Sequence, residues 1–461
     1  MKINNLVDNM KDSIVKSTQE LIAIKSVKEE SKENKPFGEG PAKALEYCLN
    51  LCSKMGFKTV NLDNYIGYAE YGEGEEYIGV LGHVDVVPEG DGWIYPPYGG
   101  EVHEGKIFGR GTMDDKGPMI ACVYGLKAIK DAGIKPAKKI RVIFGTNEES
   151  GSEGEIDRYF ESEKAPIAGF TPDAEYPIIN GEKGLTIFDL VKELDEENNS
   201  IAYIKGGQKA NMVPDYCEAG ILINDANIVI NAAKDFGDKT GFDISVEPKD
   251  DMVVVKSKGV AAHGSLPQLG KNAIMQLFMF IEELSLEDSD IVNFIKFMNK
   301  HVGMEVYGES FGVGLKDEVS GKLSFNVGVV NMDKDKITMT LNLRYPVTCK
   351  FEDMMNGLNK TLSNTGINIE NMDHQEPLYF PEDNKIIKIL SKVYEEQTGD
   401  KTKLLSIGGG TYAKEMPNIV AFGPIFPGEP DLDHQANEYI KVDDLIKNAK
   451  IYAHAMYELA K

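Results

Sequence analysis

His83 and Asp85 stand two residues apart in the run Gly82-His83-Val84-Asp85-Val86-Val87-Pro88, directly after the apolar stretch Tyr77-Ile78-Gly79-Val80-Leu81. In a strand, residues i and i+2 share a face, so imidazole and carboxylate would point the same way from one strand end. That pairing suits a metal-bound histidine, whose second ring nitrogen is usually held by a carboxylate. It also suits a sheet histidine paired with a surface aspartate. Glu148 and Glu149 follow a second strand-like run at 139–145, and Asp173 follows a short apolar stretch. Asp114 and Asp115 fall in a tight turn before a helix, where, taken alone, an N-cap with a dipole partner is a commoner arrangement than a ligand pair. His434 and Glu438 lie in Asp433-His434-Gln435-Ala436-Asn437-Glu438. Few histidines among many carboxylates make a mixed N/O donor set, which zinc, manganese and cobalt accept. One carboxylate could bridge two ions and clamp an attacking water between them, while a spare neighbour acts as general base.

These residues need a scaffold that gathers strand ends. The first part alternates helix and strand: an amphipathic helix at 6–24, a helix at 40–55 ending near Gly56, and a strand at 77–85. A loop rich in Gly, Pro and aromatics at 88–111 follows, then a helix from Pro118 to Ala132 and a buried strand at 139–145. This order predicts an α/β fold, a mixed sheet with helices on both faces, and open sheets of that kind bind ligands at the carboxyl ends of their strands. After Gly184 strand-like pieces dominate (185–193, 218–224, 251–257), with helices at 226–236, 271–284 and 351–364. Helices at 384–398 and 441–459 restore the first texture. The expected organisation is therefore a domain built from 1–183 and 381–461, with an α+β domain at 184–380 inserted into it.

The 461 residues suit two domains, and 42% hydrophobic with 27% charged content is ordinary for a globular chain. No apolar run approaches the roughly 20 residues that span a bilayer, and Met1-Lys2-Ile3-Asn4-Asn5 lacks a signal-peptide core, so the expected location is the cytoplasm. A net charge of −24 argues against nucleic acid and anionic membranes as partners. The five cysteines are scattered among apolar residues and imply no disulfide framework; Cys48 and Cys52, one helical turn apart, read as core thiols.

Three stretches, Gly82–Pro88, Gly109–Pro118 and Gly145–Glu149, resemble the signatures of the metallopeptidases with paired metal ions that include carboxypeptidase G, the aminoacylases and succinyl-diaminopimelate desuccinylase. Thr171-Pro172-Asp173-Ala174-Glu175-Tyr176-Pro177, Ala262-His263-Gly264-Ser265-Leu266-Pro267, Leu343-Arg344-Tyr345-Pro346 and Ile407-Gly408-Gly409-Gly410-Thr411-Tyr412 resemble its bacterial dipeptidase V branch. The likeness runs nearly end to end. It implies a dipeptidase with two divalent ions per chain, zinc by default with manganese or cobalt as alternatives. Asp114 would bridge the ions through a segment with a cis peptide after it. His83 and Asp173 would complete one site, and Glu149 and His434 the other.

The same resemblance implies Glu148 as general base, Asp85 as the group orienting His83, and His263 as the donor to the scissile carbonyl or its oxyanion. Read alone, His263 also fits a helix N-terminus. Asn211 would lie near the carbonyl, and Arg344, Gly409, Gly410 and Thr411 would grip a substrate carboxylate. The segment 1–183 with 381–461 becomes the catalytic domain, 184–380 a lid that closes within one chain, and the protein a monomer acting on small peptides. An N-acyl-amino-acid deacylase or a β-alanyl dipeptidase is the alternative within the family. Two stretches depart from the pattern: Pro430-Asp431-Leu432-Asp433 is more acidic than in some relatives, and Lys209–Pro214 varies around Asn211.

Overall fold

The computed structural model describes residues 2–195, 200–223 and 225–461. The strands Tyr77–His83 and Lys139–Gly145 are buried almost throughout, as their unbroken apolar runs require. They pair in parallel, with His83 opposite Gly145, and Ala168–Thr171 adds to the other edge of Tyr77–His83, also in parallel. The sheet continues through Ile419–Ala421, parallel to Ala168–Thr171. Ile66–Tyr71 and Lys58–Leu62 extend its other side in antiparallel register, which makes the sheet mixed.

The two-residue strand period divides the side chains between layers. Ile78 and Val80, with Ile140, Val142 and Phe144, join one core with Ile120 and Val123 of the helix Lys116–Asp131 and Tyr452 and Met456 of the helix Val442–Leu459. Tyr77 and Arg141 face the opposite layer, where both meet the Tyr159 hydroxyl on the helix Glu155–Phe160. Helices therefore cover both faces.

The chain divides into two compact units, one formed by the chain up to Asn180 with Phe380–Leu405 and Gly410–Lys461, the other by Gly181–Tyr379 with Ser406–Gly409. The second unit is α+β. Its eight-stranded sheet runs in the order Asp243–Lys249, Met252–Lys258, Tyr216–Ile221, Ile201–Gly206, Ser324–Met332, Lys336–Tyr345, Gly184–Glu193, Ile367–Gln375. Every pairing in it is antiparallel. Helices Ala273–Glu283, Asp290–His301 and Phe351–Leu362 supply its separate core through Phe278, Phe294 and Leu358.

Several local expectations shift. The first amphipathic stretch is two helices, Lys2–Asn9 and Lys11–Ile22, interrupted at Met10. The helix expected to start at Pro118 begins at Lys116. Pro118 stays within the first turn, whose amides have no intrahelical acceptor to lose. The loop 88–111 contains the short pair Glu101–His103 and Lys106–Phe108. The strand expected at 218–224 is Tyr216–Ile221, and residue 224 lies outside the described residues. Cys48 and Cys52 are buried free thiols.

Gly79 and Gly169 face each other across two parallel strands, and a Cβ on Gly169 would stand 1.9 Å from the Gly79 carbonyl oxygen. Gly169→Ala is expected to destabilise the protein by about 1–3 kcal/mol through this overpacking, read as a lower urea midpoint with unchanged slope.

Candidate metal centre

His83 closes the buried strand Tyr77–His83, with Glu148, Glu149 and Asp173 just past neighbouring strand ends, Asp114 in the turn before the helix Lys116–Asp131 and His434 in the loop before the strand Tyr439–Lys441. Asp114 stands between two imidazoles: its Oδ1 lies 2.9 Å from His83 Nε2 and its Oδ2 3.1 Å from His434 Nε2. His434 Nε2 is also 3.0 Å from Glu149 Oε2, and His83 Nε2 is 3.8 Å from Asp173 Oδ2. Two overlapping groups, His83 with Asp114 and Glu149, and His83 with Glu148 and Asp173, each place one ligand atom per residue within 4.8 Å of the others. Glu149 Oε1 is buried without a hydrogen-bond partner. This concentration of nitrogen and oxygen donors, one of them unsatisfied, fits borderline divalent cations such as zinc.

Asp85 organises the base of the centre. Its main-chain carbonyl lies 3.1 Å from His83 Nδ1, with its carboxylate 3.5 Å away. The same carboxylate accepts hydrogen bonds from the amides of Glu148 and Glu149, both at 3.2 Å. Through its main-chain carbonyl and its buried carboxylate, Asp85 thus contacts both the histidine and the single 3₁₀ turn, Glu148–Ser150, that carries both glutamates.

The Asp114–Asp115 peptide is cis. Asp115 occupies the N-cap position of the following helix, yet its side chain makes no capping bond. It accepts instead from the His83 amide at 3.2 Å. Gly82 makes room for that approach, since a Cβ there would meet Asp115 Oδ2 at 2.1 Å. The N-cap alternative is thereby replaced by a contact across to the next strand.

The turn before Asp114 is held by Glu438, a residue the motif reading leaves without a role. Its fully buried carboxylate accepts from Arg110 Nη1 at 2.8 Å and from the amides of Gly111 at 3.0 Å and Met113 at 2.8 Å. Arg110 also donates to the Gln435 carbonyl at 3.2 Å, and Asn437 bonds the amide of Ile94 at 2.6 Å and the carbonyl of Gly92 at 3.1 Å. These ties hold the segment in which His434 sits at φ 62°, a left-handed conformation uncommon for a histidine. A buried ion pair that bridges positions 110 and 438 leaves no local sequence signal.

Crowded carboxylates set the electrostatics. Burial and the neighbouring Asp114 raise Asp173 to about 7 and raise Glu149. Burial, Asp173 and Glu149 push Glu148 well above the usual carboxylate range. Burial opposes charge on Asp114 too, but His434 and His83 hold it well below that range. Asp114 and Glu149 raise His434 to about 11. Burial works against charge on His83, yet Asp114 and Asp85 keep its pKa well above the ordinary imidazole value.

The remaining residues singled out in the sequence group differently. Arg344 is the penultimate residue of the strand Lys336–Tyr345 of the second unit; its Nε donates to Asn342 Oδ1 at 3.1 Å and its Nη1 to the Gly408 carbonyl. Burial lowers its pKa to about 10, and no carboxylate of its own unit, among the described residues, pairs with it. His263 lies on the two-residue strand Ala262–His263 opposite Met212, not at a helix start. Its Nδ1 is 2.6 Å from Ser265 Oγ, and the Gly264 amide donates to the Asn211 carbonyl at 2.7 Å, which joins Asn211 and His263 in one small patch. Gly409 is half-buried, Gly410 is exposed, and Thr411 caps the short helix Tyr412–Glu415 by accepting from the Ala413 amide at 3.1 Å.

A mostly buried cluster of nitrogen and oxygen donors around the end of the strand Tyr77–His83 is the kind of site a hydrolytic metalloenzyme uses. The family model for peptidase family M20/M25/M40 matches residues 79–458. The chain belongs to that family and is a metal-dependent peptidase. It is 37% identical over 458 residues to "Putative dipeptidase YtjP" of Bacillus subtilis (strain 168), with 98% of both chains covered. It is 38% identical over 457 residues to "Putative dipeptidase" of Staphylococcus epidermidis, with 97% of both covered. Its fold is similar to that of the di-peptidase Dug1p from Saccharomyces cerevisiae, at TM-score 0.57 and 15% identity over 99% of this chain and 98% of that one. Aminoacylhistidine dipeptidase from Vibrio alginolyticus gives TM-score 0.57 and 15% identity over 96% and 95%. Among the described residues no helix is long and apolar enough to cross a membrane.

Removing the Glu438 carboxylate would strand the buried Arg110 guanidinium and the backbone amides of Gly111, Met113 and Asp114. Glu438→Ala is expected to cost about 3–5 kcal/mol in chemical denaturation.

Proposed function

We propose that this peptidase is a dipeptidase that holds two divalent cations and cleaves dipeptides with a free N-terminus. The observation that carries the reading is Asp114, which presents one carboxylate oxygen to His83 and the other to His434. Asp114 would be shared, His83 and Asp173 would serve one cation, and Glu149 and His434 the other. Zinc suits this donor set first, with manganese or cobalt as substitutes. Bound cations of this kind polarise a peptide carbonyl and acidify water.

Glu148 takes the part of general base. It shares its turn with Glu149, and its raised affinity for protons matches a group that accepts one from the attacking water and passes it to the leaving amine. Asp85 holds His83 and the amides of Glu148 and Glu149, so it positions rather than reacts.

The substrate assignments draw on the second unit's own chemistry. A buried guanidinium with no carboxylate partner in its unit is costly, and a substrate carboxylate supplies the missing charge. Arg344 is assigned to that contact, together with donors from Gly409, Gly410 and Thr411. Asn211 and His263 share one patch and are assigned to the scissile carbonyl and its developing oxyanion. The segment 184–380 would be the lid that carries Asn211, His263 and Arg344, and 1–183 with 381–461 the catalytic domain. The proposed setting is the cytoplasm, as a monomer acting on small peptides.

The deciding experiment is a panel of free dipeptides and N-acetyl amino acids offered to metal-stripped protein re-dosed with zinc or manganese. Cleavage of the dipeptides alone, restored by metal, is the expected result; cleavage of the acetylated compounds instead would establish a deacylase. In the same assay Glu148→Gln should lower turnover by about 10²–10⁴-fold while bound metal stays at wild-type content. Retention of near-normal turnover would remove Glu148 from the role of base.

Cation binding must also displace protons. Neighbouring carboxylates raise the proton affinity of His83 and His434, whereas metal ligands bind deprotonated. Calorimetric titration in buffers of different ionisation enthalpy is expected to show net proton release, with affinity falling as pH is lowered.

A further inference from the structure

Four consecutive amides, Thr146 to Glu149, lead from the strand Lys139–Gly145 to the two glutamates, and each donates to a buried carboxylate. Asp85 accepts from Glu148 and Glu149. The other two go to Glu155, whose Oε2 accepts from Thr146 at 2.6 Å and Asn147 at 2.9 Å. Its remaining oxygen, Oε1, accepts from the Tyr412 hydroxyl at 2.5 Å. Both Glu155 and Tyr412 are completely buried.

Tyr412 is the first residue of the short helix that follows Gly410 and Thr411, so this hydroxyl joins two segments distant in sequence. Its ring also lies edge-on to His83, with centroids 6.2 Å apart. Gly145 makes the arrangement possible, because a Cβ there would stand 1.9 Å from the Tyr412 hydroxyl oxygen and 3.1 Å from Glu155 Oε2. A surface glutamate would spend its lone pairs on water. Glu155 is at the start of its helix yet turned inward, with all three of these donors converging on it.

We infer that Glu155 and Tyr412 are a positioning pair for the reaction: they fix the segment that carries Glu148 and Glu149 and lock it to the segment that begins at Thr411. Neither is expected to touch substrate. The inference rests on the reading of Glu148 as base and Glu149 as ligand. Hydrogen-bond geometry, not charge, is what Glu155 contributes. Glutamine can accept from Thr146 and Asn147 through its carbonyl oxygen and donate to the Tyr412 oxygen through its amide.

The test compares Tyr412→Phe, Glu155→Ala and Glu155→Gln as metal-loaded enzymes, each with kcat and KM on a dipeptide and with metal content measured. Tyr412→Phe removes one oxygen and keeps the ring, so it provides a readout even where Glu155→Ala folds poorly. The expected result is a fall in kcat of roughly 10–100-fold for Tyr412→Phe, the scale of a misplacement of about 1 Å, with KM little changed. Glu155→Gln should recover most of what Glu155→Ala loses. Wild-type kcat in Tyr412→Phe overturns the proposal, and so does a lowered melting temperature with unchanged kcat per metal-loaded molecule. Glu155→Gln as damaged as Glu155→Ala overturns the geometric role. An active Glu148→Gln enzyme would instead sink the underlying reading, which separates the two failures.

Discussion

Like charges gathered in a buried space constrain this molecule more than any other single feature. Asp114, Glu148, Glu149 and Asp173 crowd two imidazoles at the ends of parallel strands. Carboxylates that close cannot all ionise unless positive charge accompanies them. The histidines answer for part of it, which is why Asp114, touched by both, keeps its charge most readily while its neighbours lean toward protonation. Dications are the natural complement to the remainder. The rest of the first unit can be understood as the frame needed to hold such a cluster against its own repulsion.

That frame is built from further buried carboxylates that accept from backbone amides around the cluster. Asp85, Glu155 and Glu438 each accept from two or more main-chain amides. Amides donated to a carboxylate stabilise its charge without adding a mobile counter-ion, and they convert a flexible loop into a fixed one. The negative composition of the chain is therefore partly internal machinery.

The cluster was largely legible from sequence because its candidate ligands sit in short motifs, several of them at the ends of strands that announce themselves by apolar runs. His83, Asp114, Glu149, Asp173 and His434 come together although they span most of the chain. The mixed sheet with helices on both faces was legible for the same reason: buried parallel strands cannot alternate polar and apolar residues. The strands Ser324–Met332 and Lys336–Tyr345 were missed, since one face of an antiparallel sheet dilutes the signal with polar residues such as Asn326, Thr338 and Asn342. The backbone-holding roles of Glu155 and Glu438 are hidden for a different cause. Their partners are amides, which every residue has, so no residue type marks the contact. Tyr412 was quoted only as the tail of a glycine motif; nothing in its neighbours reveals that its hydroxyl reaches a helix more than two hundred positions earlier.

The inserted unit leaves and returns at one place, because Glu182 pairs with Leu378 and Gly181 with Tyr379 in antiparallel register. A ribosome makes such a chain in an order at odds with its architecture. The second unit has almost its entire sequence in one stretch and can collapse on its own core as soon as that stretch emerges. The first unit must wait: the strand Ile419–Ala421 adds to its sheet, and the helix Val442–Leu459 covers the face formed by Ile78, Val80 and Phe144, only after the second unit's stretch has been made. Domains generally fold as units during translation. Here the half-built sheet keeps its apolar face bare until the strand and the helix that follow the second unit have been made, and His434 arrives between them.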